Sequence, residues 1–269
     1  MSKKNIQNAQ NTKDAQKVDS TAKKTKKSSK KKKDSLHNDN YNYITANSPF
    51  TITEAYKTLR TNLIFSTGDT GCQKYVVTSS LPGEGKTTNS VNIAVSFALT
   101  GKKVLLIDAD LRKPRIHKYF ETDDKTGLSN ILSGIFEGEK KDVIHKTPVE
   151  NLDVVYSGHI PPNPIELLAS DNMRTFIENV EKTYDFIVID TPPINVVSDA
   201  LVLSKHVTGY ILVLRSNITV YQSLESAIAK FELANVKPIG VILNDYEAKN
   251  KEYSSRYKYR RYQYQYYYK

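Results

Sequence analysis

The residues with the clearest chemical purpose form a run at 80–88, which reads SLPGEGKTT. Its two glycines, Gly83 and Gly85, let backbone N–H groups turn inward around an oxyanion, where a side chain would obstruct them. Lys86 adds a positive charge beside that cradle, and Thr87 adds a hydroxyl that can bind Mg²⁺. The run therefore predicts a loop that binds the phosphates of a nucleotide such as ATP.

The neighbouring sequence supports this prediction. A strand-like run at 74–80 leads into the loop and a helical pattern at 87–100 follows it, which is the context that a phosphate loop requires. Ser80 occupies the position that the strict pattern gives to glycine, and we expect a residue this small to be tolerated there. The predicted ATP-binding residues are Ser80, Pro82, Gly83, Glu84, Gly85, Lys86, Thr87 and Thr88.

Three aspartates close apolar runs of strand length. Asp108 and Asp110 close VLLIDAD, and Asp190 closes FIVID. Because the carboxyl ends of parallel strands face the ligand crevice, we expect these side chains to converge near the phosphates. Mg²⁺ prefers oxygen ligands and usually keeps several waters, which makes Asp190 a candidate ligand through water. Either Asp108 or Asp110 could accept the proton of an attacking hydroxyl.

A run of basic residues follows Asp110 at once and contains Arg112, Lys113 and Arg115. One interpretation is a solvated loop, since runs of charge are usually exposed. The other is that one of the three side chains contacts a phosphate or orients the acceptor, and the sequence leaves open which one.

The last seventeen residues, 253–269, read YSSRYKYRRYQYQYYYK, and eight of them are tyrosine. The interleaved arginines and lysines leave this segment no apolar face to bury, so we predict that it is flexible. Hydroxylated rings at this density indicate a substrate rather than part of a core. The candidate phosphoacceptors are Tyr253, Tyr257, Tyr259, Tyr262, Tyr264, Tyr266, Tyr267 and Tyr268.

The elements that position these residues are apolar runs of strand length, which are continuous rather than alternating. Such runs are typical of strands covered on both faces. Helical patterns at 87–100, 170–182 and 219–234 separate most of them. The pattern predicts an α/β fold, with a P-loop NTPase-type, mostly parallel β-sheet flanked by helices on both faces and with disordered N-terminal and C-terminal tails. The predicted strands are 74–80, 103–109, 152–157, 186–190, 210–216 and 238–244.

The formal net charge of +10 is concentrated at the two ends of the chain. Residues 1–36 hold twelve lysines against three aspartates, and residues 249–269 hold seven lysines or arginines against one glutamate, so the body between them is mildly acidic. A single cysteine, Cys72, excludes an internal disulfide and fits a reducing cytoplasm. No apolar stretch approaches the roughly 18 residues of a membrane-spanning helix.

Together these motifs resemble the bacterial protein-tyrosine kinases (BY-kinases) encoded with capsule and exopolysaccharide machinery, in the form where the cytoplasmic kinase is a separate polypeptide. The resemblance covers about residues 50–269. It implies an ATP-dependent protein-tyrosine kinase that autophosphorylates in trans on its C-terminal tyrosines and regulates capsular or exopolysaccharide synthesis and export. Besides the tyrosine cluster, the motifs are SSLPGEGKTT (79–88), VLLIDADLRKPRIH (104–117), GLSNILSG (127–134), PPNPIELLAS (161–170) and FIVIDTPP (186–193).

The resemblance also implies roles for individual residues. In that family the three nucleotide motifs are called Walker A, Walker A′ and Walker B. Lys86 and Thr87 would contact phosphate and Mg²⁺, and Asp190 would be the Walker B carboxylate. Asp108 and Asp110 would be catalytic and metal-organising groups. The implied catalytic residues are thus Lys86, Asp108 and Asp110, and the implied metal site contains Thr87, Asp108 and Asp190.

A helical segment at about 51–66 resembles the family's self-association motif, Glu-x-x-Arg-x-x-Arg. Glu54 and Arg60 match the motif, whereas Lys57 replaces the middle arginine and cannot reproduce its bidentate contact. Spacing of three places the charges on one helix face, so an oligomerisation surface and a plain amphipathic helix both remain open. The expected buried stripe of this helix contains Ile52, Tyr56, Leu59 and Leu63.

By this resemblance the chain divides into a disordered lysine-rich tail at 1–40, a P-loop kinase domain at 41–248 and an autophosphorylation tail at 249–269. The implied partners are further copies of the chain in a ring, an activating transmembrane adaptor that resembles chain-length regulators, and a cognate tyrosine phosphatase. No specific nucleic-acid partner is implied. The kinase would be cytoplasmic and recruited to the inner face of the membrane through the adaptor.

Two other functions fit parts of the sequence less well. Partition and septum-positioning ATPases carry a signature lysine before the glycines of the loop, and here Leu81 and Pro82 occupy the positions of that lysine and of the first glycine. A nucleic-acid binder with basic tails and stacking tyrosines is physically reasonable. It would leave the complete nucleotide site unexplained.

Overall fold

Strands form at the six predicted positions in the computed structural model, which describes residues 42–68, 71–120, 126–134, 143–236 and 238–246. Their bounds agree with the predicted runs to within two residues, and a further two-residue strand was not predicted. The strands are β1 (Gln73–Ser79), β2 (Val104–Asp108), β3 (His145–Lys146), β4 (Leu152–Val155), β5 (Phe186–Asp190), β6 (Gly209–Arg215) and β7 (Pro238–Asn244). Asp110 lies two residues beyond the end of β2.

The strands form one sheet in the order β3-β4-β2-β5-β1-β6-β7. Only the short β3 runs antiparallel to its neighbour, β4, and the other described pairs are parallel. Parallel pairing brings the carboxyl ends of β1, β2, β5, β6 and β7 to the same edge of the sheet. In the register of β2 and β5, Asp108 lies opposite Asp190.

Helices connect the strands, and the predicted helices form with bounds that agree to within two residues. The described α-helices are α1 (Phe50–Thr67), α2 (Lys86–Ala98), α3 (Leu128–Leu132), α4 (Pro164–Leu168), α5 (Asp171–Val180) and α6 (Tyr221–Leu233). Short 3₁₀ turns occur at Ile116–Lys118 and Leu201–His206. Among the described helices, none combines the length and the hydrophobicity needed to span a bilayer.

Apolar side chains cover both faces of the sheet. On one face, alternate residues of the central strands pack against buried side chains of α3 to α6, such as Met173 and Phe231. On the other face, Phe97 of α2 stacks against Phe186 with ring centroids 4.0 Å apart, and Tyr75 lies next to both rings. The α/β class with helices on both faces is therefore confirmed.

Helix α2 is buried around nearly its whole circumference, including polar residues that the apolar pattern did not select. Helix α1 satisfies them, because Tyr56 donates a hydrogen bond to Asn89 and Arg60 donates to the backbone and hydroxyl oxygens of Ser96. The first turn of α1 extends beyond this contact. There Ile52 is 46% exposed, so its predicted place in a buried stripe is wrong, whereas Leu63 is buried.

Candidate active site

The phosphate loop joins β1 to α2, and its two glycines have backbone angles that other residues rarely adopt. The φ angles of Gly83 and Gly85 are +83° and +91°. A Cβ on Gly85 would lie 2.1 Å from the side-chain nitrogen of Asn244, so no other residue fits there without a shift. Helix α2 begins directly after Gly85 with no side-chain cap in the described residues. Its first N–H groups therefore face the loop, where an anion would bind.

Glu84 braces this loop from inside. Its carboxylate is fully buried and accepts hydrogen bonds from the Ser80 hydroxyl at 2.8 and 2.9 Å and from the Leu81 N–H at 2.8 Å. The hydroxyl of Thr219, in the segment after β6, donates to the same carboxylate. Serine in place of the usual first glycine thus has a structural reason, because its hydroxyl helps to satisfy a buried charge.

Two further braces come from the far end of the sheet. The side-chain amide of Asn244, the last residue of β7, donates to the Glu84 carbonyl at 3.0 Å. Arg215, at the end of β6, donates to the Gly83 carbonyl at 3.3 Å and pairs with Asp245. No local sequence pattern indicated these contacts, since the partners are 132 and 160 residues apart.

Lys86 and Thr87 meet two of the three predicted aspartates. The Lys86 ammonium lies 2.8 Å from a carboxylate oxygen of Asp110 and 3.4 Å from one of Asp190. The Thr87 hydroxyl donates to that same Asp190 oxygen at 2.7 Å, and Ser90, which the sequence did not single out, donates to the other at 3.0 Å. The groups suited to phosphate and to Mg²⁺ therefore lie together at the carboxyl edge of the sheet.

Asp108 faces a different set of groups. Its carboxylate accepts backbone N–H hydrogen bonds from Asp110 at 3.2 Å, Arg115 at 3.2 Å and Ile116 at 3.1 Å. Asp110 accepts a further one from the Lys113 N–H at 3.0 Å. The two carboxylates thus fold residues 109–116, which we call the 109–116 loop, over the end of β2.

Three carboxyl groups share one ammonium group in this cluster. Burial is the main reason that the pKa of Asp108 is raised to about 8, and the negative charge of Asp190 is the second. Burial also raises the pKa of Asp190, although Lys86 opposes it. Burial alone would lower the pKa of Lys86, but Asp190 and Asp110 outweigh it and raise that pKa. A bound cation would favour the ionised forms of Asp108 and Asp190.

The oxygen donors of the site suit a Mg²⁺ ion that keeps some of its water ligands. Among the described residues, no three His, Cys, Asp or Glu side chains are arranged to hold a metal ion by themselves. The Thr87 hydroxyl and the Asp190 carboxylate, 2.7 Å apart, are oxygen donors of the type that Mg²⁺ takes together with water and phosphate oxygens. The residues present therefore fit a nucleotide-bound Mg²⁺ ion.

The three basic side chains after Asp110 are not equivalent. Arg112 donates two hydrogen bonds to the Asp199 carboxylate, of 2.8 and 3.0 Å. Lys113 and Arg115 have exposed side chains. Asp199 lies in the segment after β5 and was not identified from the sequence, because no motif spacing links it to Arg112.

The predicted oligomerisation residues lie on α1, and the predicted phosphoacceptors lie outside the described residues. In α1, Lys57 pairs with Glu54 at 2.8 Å on the same helix, and Arg60 is bound to α2. All eight candidate phosphoacceptor tyrosines belong to residues 247–269, which the structure does not describe.

Comparison with solved structures of lower identity shows the fold. The septum site-determining protein MinD from Pyrococcus horikoshii OT3, solved in complex with Mg-ADP, is 24% identical and aligns with a TM-score of 0.55 over 67% of this chain and 72% of that one. This chain therefore shares its fold with that protein.

More similar proteins identify the family. Residues 74–233 match the family described as AAA domain. The chain is 41% identical to tyrosine-protein kinase YwqD of Bacillus subtilis (strain 168), covering 74% of this chain and 84% of that protein. It is 38% identical to putative tyrosine-protein kinase CapB of Staphylococcus aureus, covering 75% and 88%. The kinase domain of the Escherichia coli tyrosine kinase ETK aligns at 35% identity with a TM-score of 0.70, covering 77% and 84%. This chain therefore belongs to the bacterial protein-tyrosine kinase family.

Proposed function

We propose that this kinase transfers the γ-phosphoryl group of ATP to the tyrosines at 253–268 of a neighbouring copy of itself. The observation that carries the proposal is the meeting of Lys86 and Thr87 with Asp110 and Asp190 in a chain that ends in eight tyrosines. In such a reaction the oxygen–phosphorus bond to the phenol forms as the bond between the γ- and β-phosphates breaks, and ADP leaves.

The phosphate loop would bind and orient the nucleotide. Backbone N–H groups after Gly83 and Gly85 would hold the phosphates, and Lys86 would turn from the carboxylates to the β- and γ-phosphates. A bound Mg²⁺ would neutralise charge that develops on the phosphates. Thr87 and Asp190 are the residues that would hold it.

Asp110 is the better placed of the two candidate proton acceptors. Both oxygens of Asp108 already accept backbone N–H groups, so this carboxylate is committed to the 109–116 loop. One oxygen of Asp110 contacts the Lys86 ammonium and becomes free when Lys86 turns to phosphate. We assign to Asp110 the phenolic proton and to Asp108 the support of the loop that carries Asp110.

The cellular setting follows from the resemblance in the sequence motifs. The kinase would act in the cytoplasm as a ring-forming oligomer, at the inner face of the membrane where a transmembrane adaptor recruits and activates it. A tyrosine phosphatase would reverse the modification, and the cycle would regulate capsular or exopolysaccharide synthesis and export. Glu54, Lys57 and Arg60 on α1 are the proposed contacts between copies.

The test uses two forms of the full chain that differ in mass. ¹⁵N-labelled Lys86→Met protein is mixed with unlabelled wild type, the cytoplasmic segment of the adaptor and Mg-ATP, and phosphates are then mapped by mass spectrometry. We expect phosphotyrosine at 253–268 of the labelled chain, because only a neighbour can have modified it. Modification confined to the unlabelled chain would contradict transfer in trans. Absence of phosphotyrosine on both chains, despite ATP binding, would contradict the proposal as a whole.

A further inference from the structure

An ion pair with one buried partner joins the two segments that follow β2 and β5. Arg112 lies two residues after Asp110 in the 109–116 loop, and Asp199 lies nine residues after Asp190 beyond β5. Two nitrogens of the guanidinium donate to the two carboxylate oxygens, at 2.8 and 3.0 Å. The contact spans 87 positions of sequence and closes over the carboxyl edge of the sheet.

Only one of the two side chains in this ion pair is buried. The Asp199 side chain is 0% exposed, whereas that of Arg112 is 39% exposed. A carboxylate with no access to water is strongly destabilising unless a positive charge and hydrogen bonds compensate it. In the described part of the chain Arg112 forms an ion pair with Asp199, so movement of the loop away from Asp199 would leave this carboxylate buried without that partner.

The geometry of the pair fixes orientation as well as distance. A guanidinium that donates two parallel hydrogen bonds to one carboxylate is held in a plane, which a single contact would not achieve. Asp110 and Glu166 are also close enough for their charges to act on Arg112. The Arg112 side chain therefore lies among carboxylates of three segments, and its place is set by the one that is buried.

The 109–116 loop needs such an anchor because Asp110 belongs both to the loop and to the site. One of its oxygens accepts the Lys113 N–H at 3.0 Å, and the other lies 2.8 Å from the Lys86 ammonium. A loop that shifts by about 1 Å would move Asp110 away from Lys86, and misplacement on this scale can reduce turnover by about 10²-fold.

We propose that Asp199 is a positioning residue for phosphoryl transfer, which orients Arg112 and through it holds Asp110 at the phosphate loop. This inference rests on the proposed function for its effect on turnover. It assigns Arg112 to the support of the loop.

The first arm of the test does not depend on catalysis. Asp199→Asn keeps the shape of the side chain but removes its charge and one acceptor, so amide hydrogen exchange at 109–116 in the full chain should become about tenfold faster. Exchange at the phosphate loop should stay within about twofold, because its braces come from Glu84, Arg215 and Asn244. Asp171→Asn is the matched control, since Asp171 forms an exposed pair with Arg174 on α5. Unchanged exchange at 109–116 would overturn the proposal.

The second arm measures kinetics with the activating adaptor present. Asp199→Asn should lower kcat about 10- to 100-fold while the KM for ATP changes less than about threefold, and Arg112→Lys should act in the same direction because lysine cannot make the double contact. The double variant should be no worse than either single one, since both remove the same contact. A raised KM with unchanged kcat would overturn positioning. If the wild type forms no phosphotyrosine but Asp199→Asn still loosens the loop, the proposed function fails and the positioning role stands.

Arg112→Lys also protects the test against misfolding. Should Asp199→Asn fail to give folded protein, Arg112→Lys retains a positive charge beside Asp199 and allows the same two measurements. A loop that exchanges normally in folded Arg112→Lys, with wild-type kcat, would overturn the proposal.

Discussion

Two loops meet at the carboxyl edge of the sheet, and each is organised around buried carboxylates. In the phosphate loop, the Glu84 carboxylate accepts hydrogen bonds from Ser80, Leu81 and Thr219, whereas Lys86 contacts the carboxylates of Asp110 and Asp190. In the 109–116 loop, Asp110 holds the Lys113 N–H with one oxygen and the Lys86 ammonium with the other. The first loop separates its structural carboxylate from its binding groups, whereas the second uses one carboxylate for both.

This difference has a consequence for how each loop tolerates change. A substitution at Glu84 should act mainly on folding stability, because the groups that face the phosphates are backbone N–H groups and Lys86. A substitution at Asp110 should act on the geometry of the loop and on the reaction together.

The largest expected effect is that of Asp110→Ala. Removal of this carboxylate takes away the proposed proton acceptor, the partner of Lys86 and one support of the loop. Initial rates of tyrosine phosphorylation with Mg-ATP and adaptor should fall by about 10²- to 10⁴-fold. Asp171→Ala, at an exposed position on α5, is the control and should keep the wild-type rate. A loss of less than tenfold for Asp110→Ala would contradict its assigned role.

Glu84→Ala should separate stability from chemistry. It leaves the buried Ser80 hydroxyl and the partly buried Thr219 hydroxyl without this acceptor, which should lower the free energy of unfolding by about 1–3 kcal/mol. Urea unfolding measures that change in stability. The effect on catalysis is measured as the phosphorylation rate at urea concentrations below the unfolding transition. The rate should fall by less than about tenfold, well short of the Asp110→Ala loss. Equal losses of activity would remove the contrast between the loops.

The third prediction concerns how the free energy of unfolding of the metal-free protein depends on pH. Asp108 titrates at about 8 when folded, against an ordinary value of 3.8. Between these values the folded state holds a proton that the unfolded state has lost. The free energy of unfolding should therefore fall as pH rises toward 8, with a contribution of up to about 1.4 kcal/mol per pH unit. Asp108→Asn should flatten this dependence in urea unfolding series from pH 5 to pH 8.5. A slope that is unaltered in Asp108→Asn would contradict the assignment.

The smallest effect is expected far from both loops, on α1. Lys57 forms an exposed ion pair with Glu54 within its own helix, so Lys57→Ala should change the free energy of unfolding by less than about 0.5 kcal/mol. Arg60→Ala should cost more, because Arg60 donates to Ser96 of α2. Thermal unfolding of the two variants side by side measures the difference. Equal melting temperatures would show that the contact of Arg60 with α2 adds little.

Local sequence was sufficient to predict much of the fold and the core of the site. The continuous apolar runs predicted six strands, since parallel strands covered on both faces show no alternation. The glycines and Lys86 of the phosphate loop stood next to each other in sequence, so their spacing alone indicated phosphate binding. The two-residue β3 was missed because so short a strand carries no pattern.

The supports of the site could not be predicted in this way. Thr219, Asn244 and Asp199 reach the site from positions 87 to 160 residues away from their partners, and each is an ordinary polar residue in its own segment. The hydrogen-bond partners of the Asp108 side chain could not be predicted from the sequence either. Its place at a strand end indicated a ligand crevice, but the backbone of the 109–116 loop competes for its oxygens.

The contact between Asn244 and the Glu84 carbonyl also has a consequence for the order in which the protein is made. The chain is synthesised from its N-terminus, and domains generally fold as units during or after that process. The phosphate loop emerges 160 residues before the amide that braces it. A growing chain therefore lacks a finished nucleotide site until the last strand of the sheet has been added.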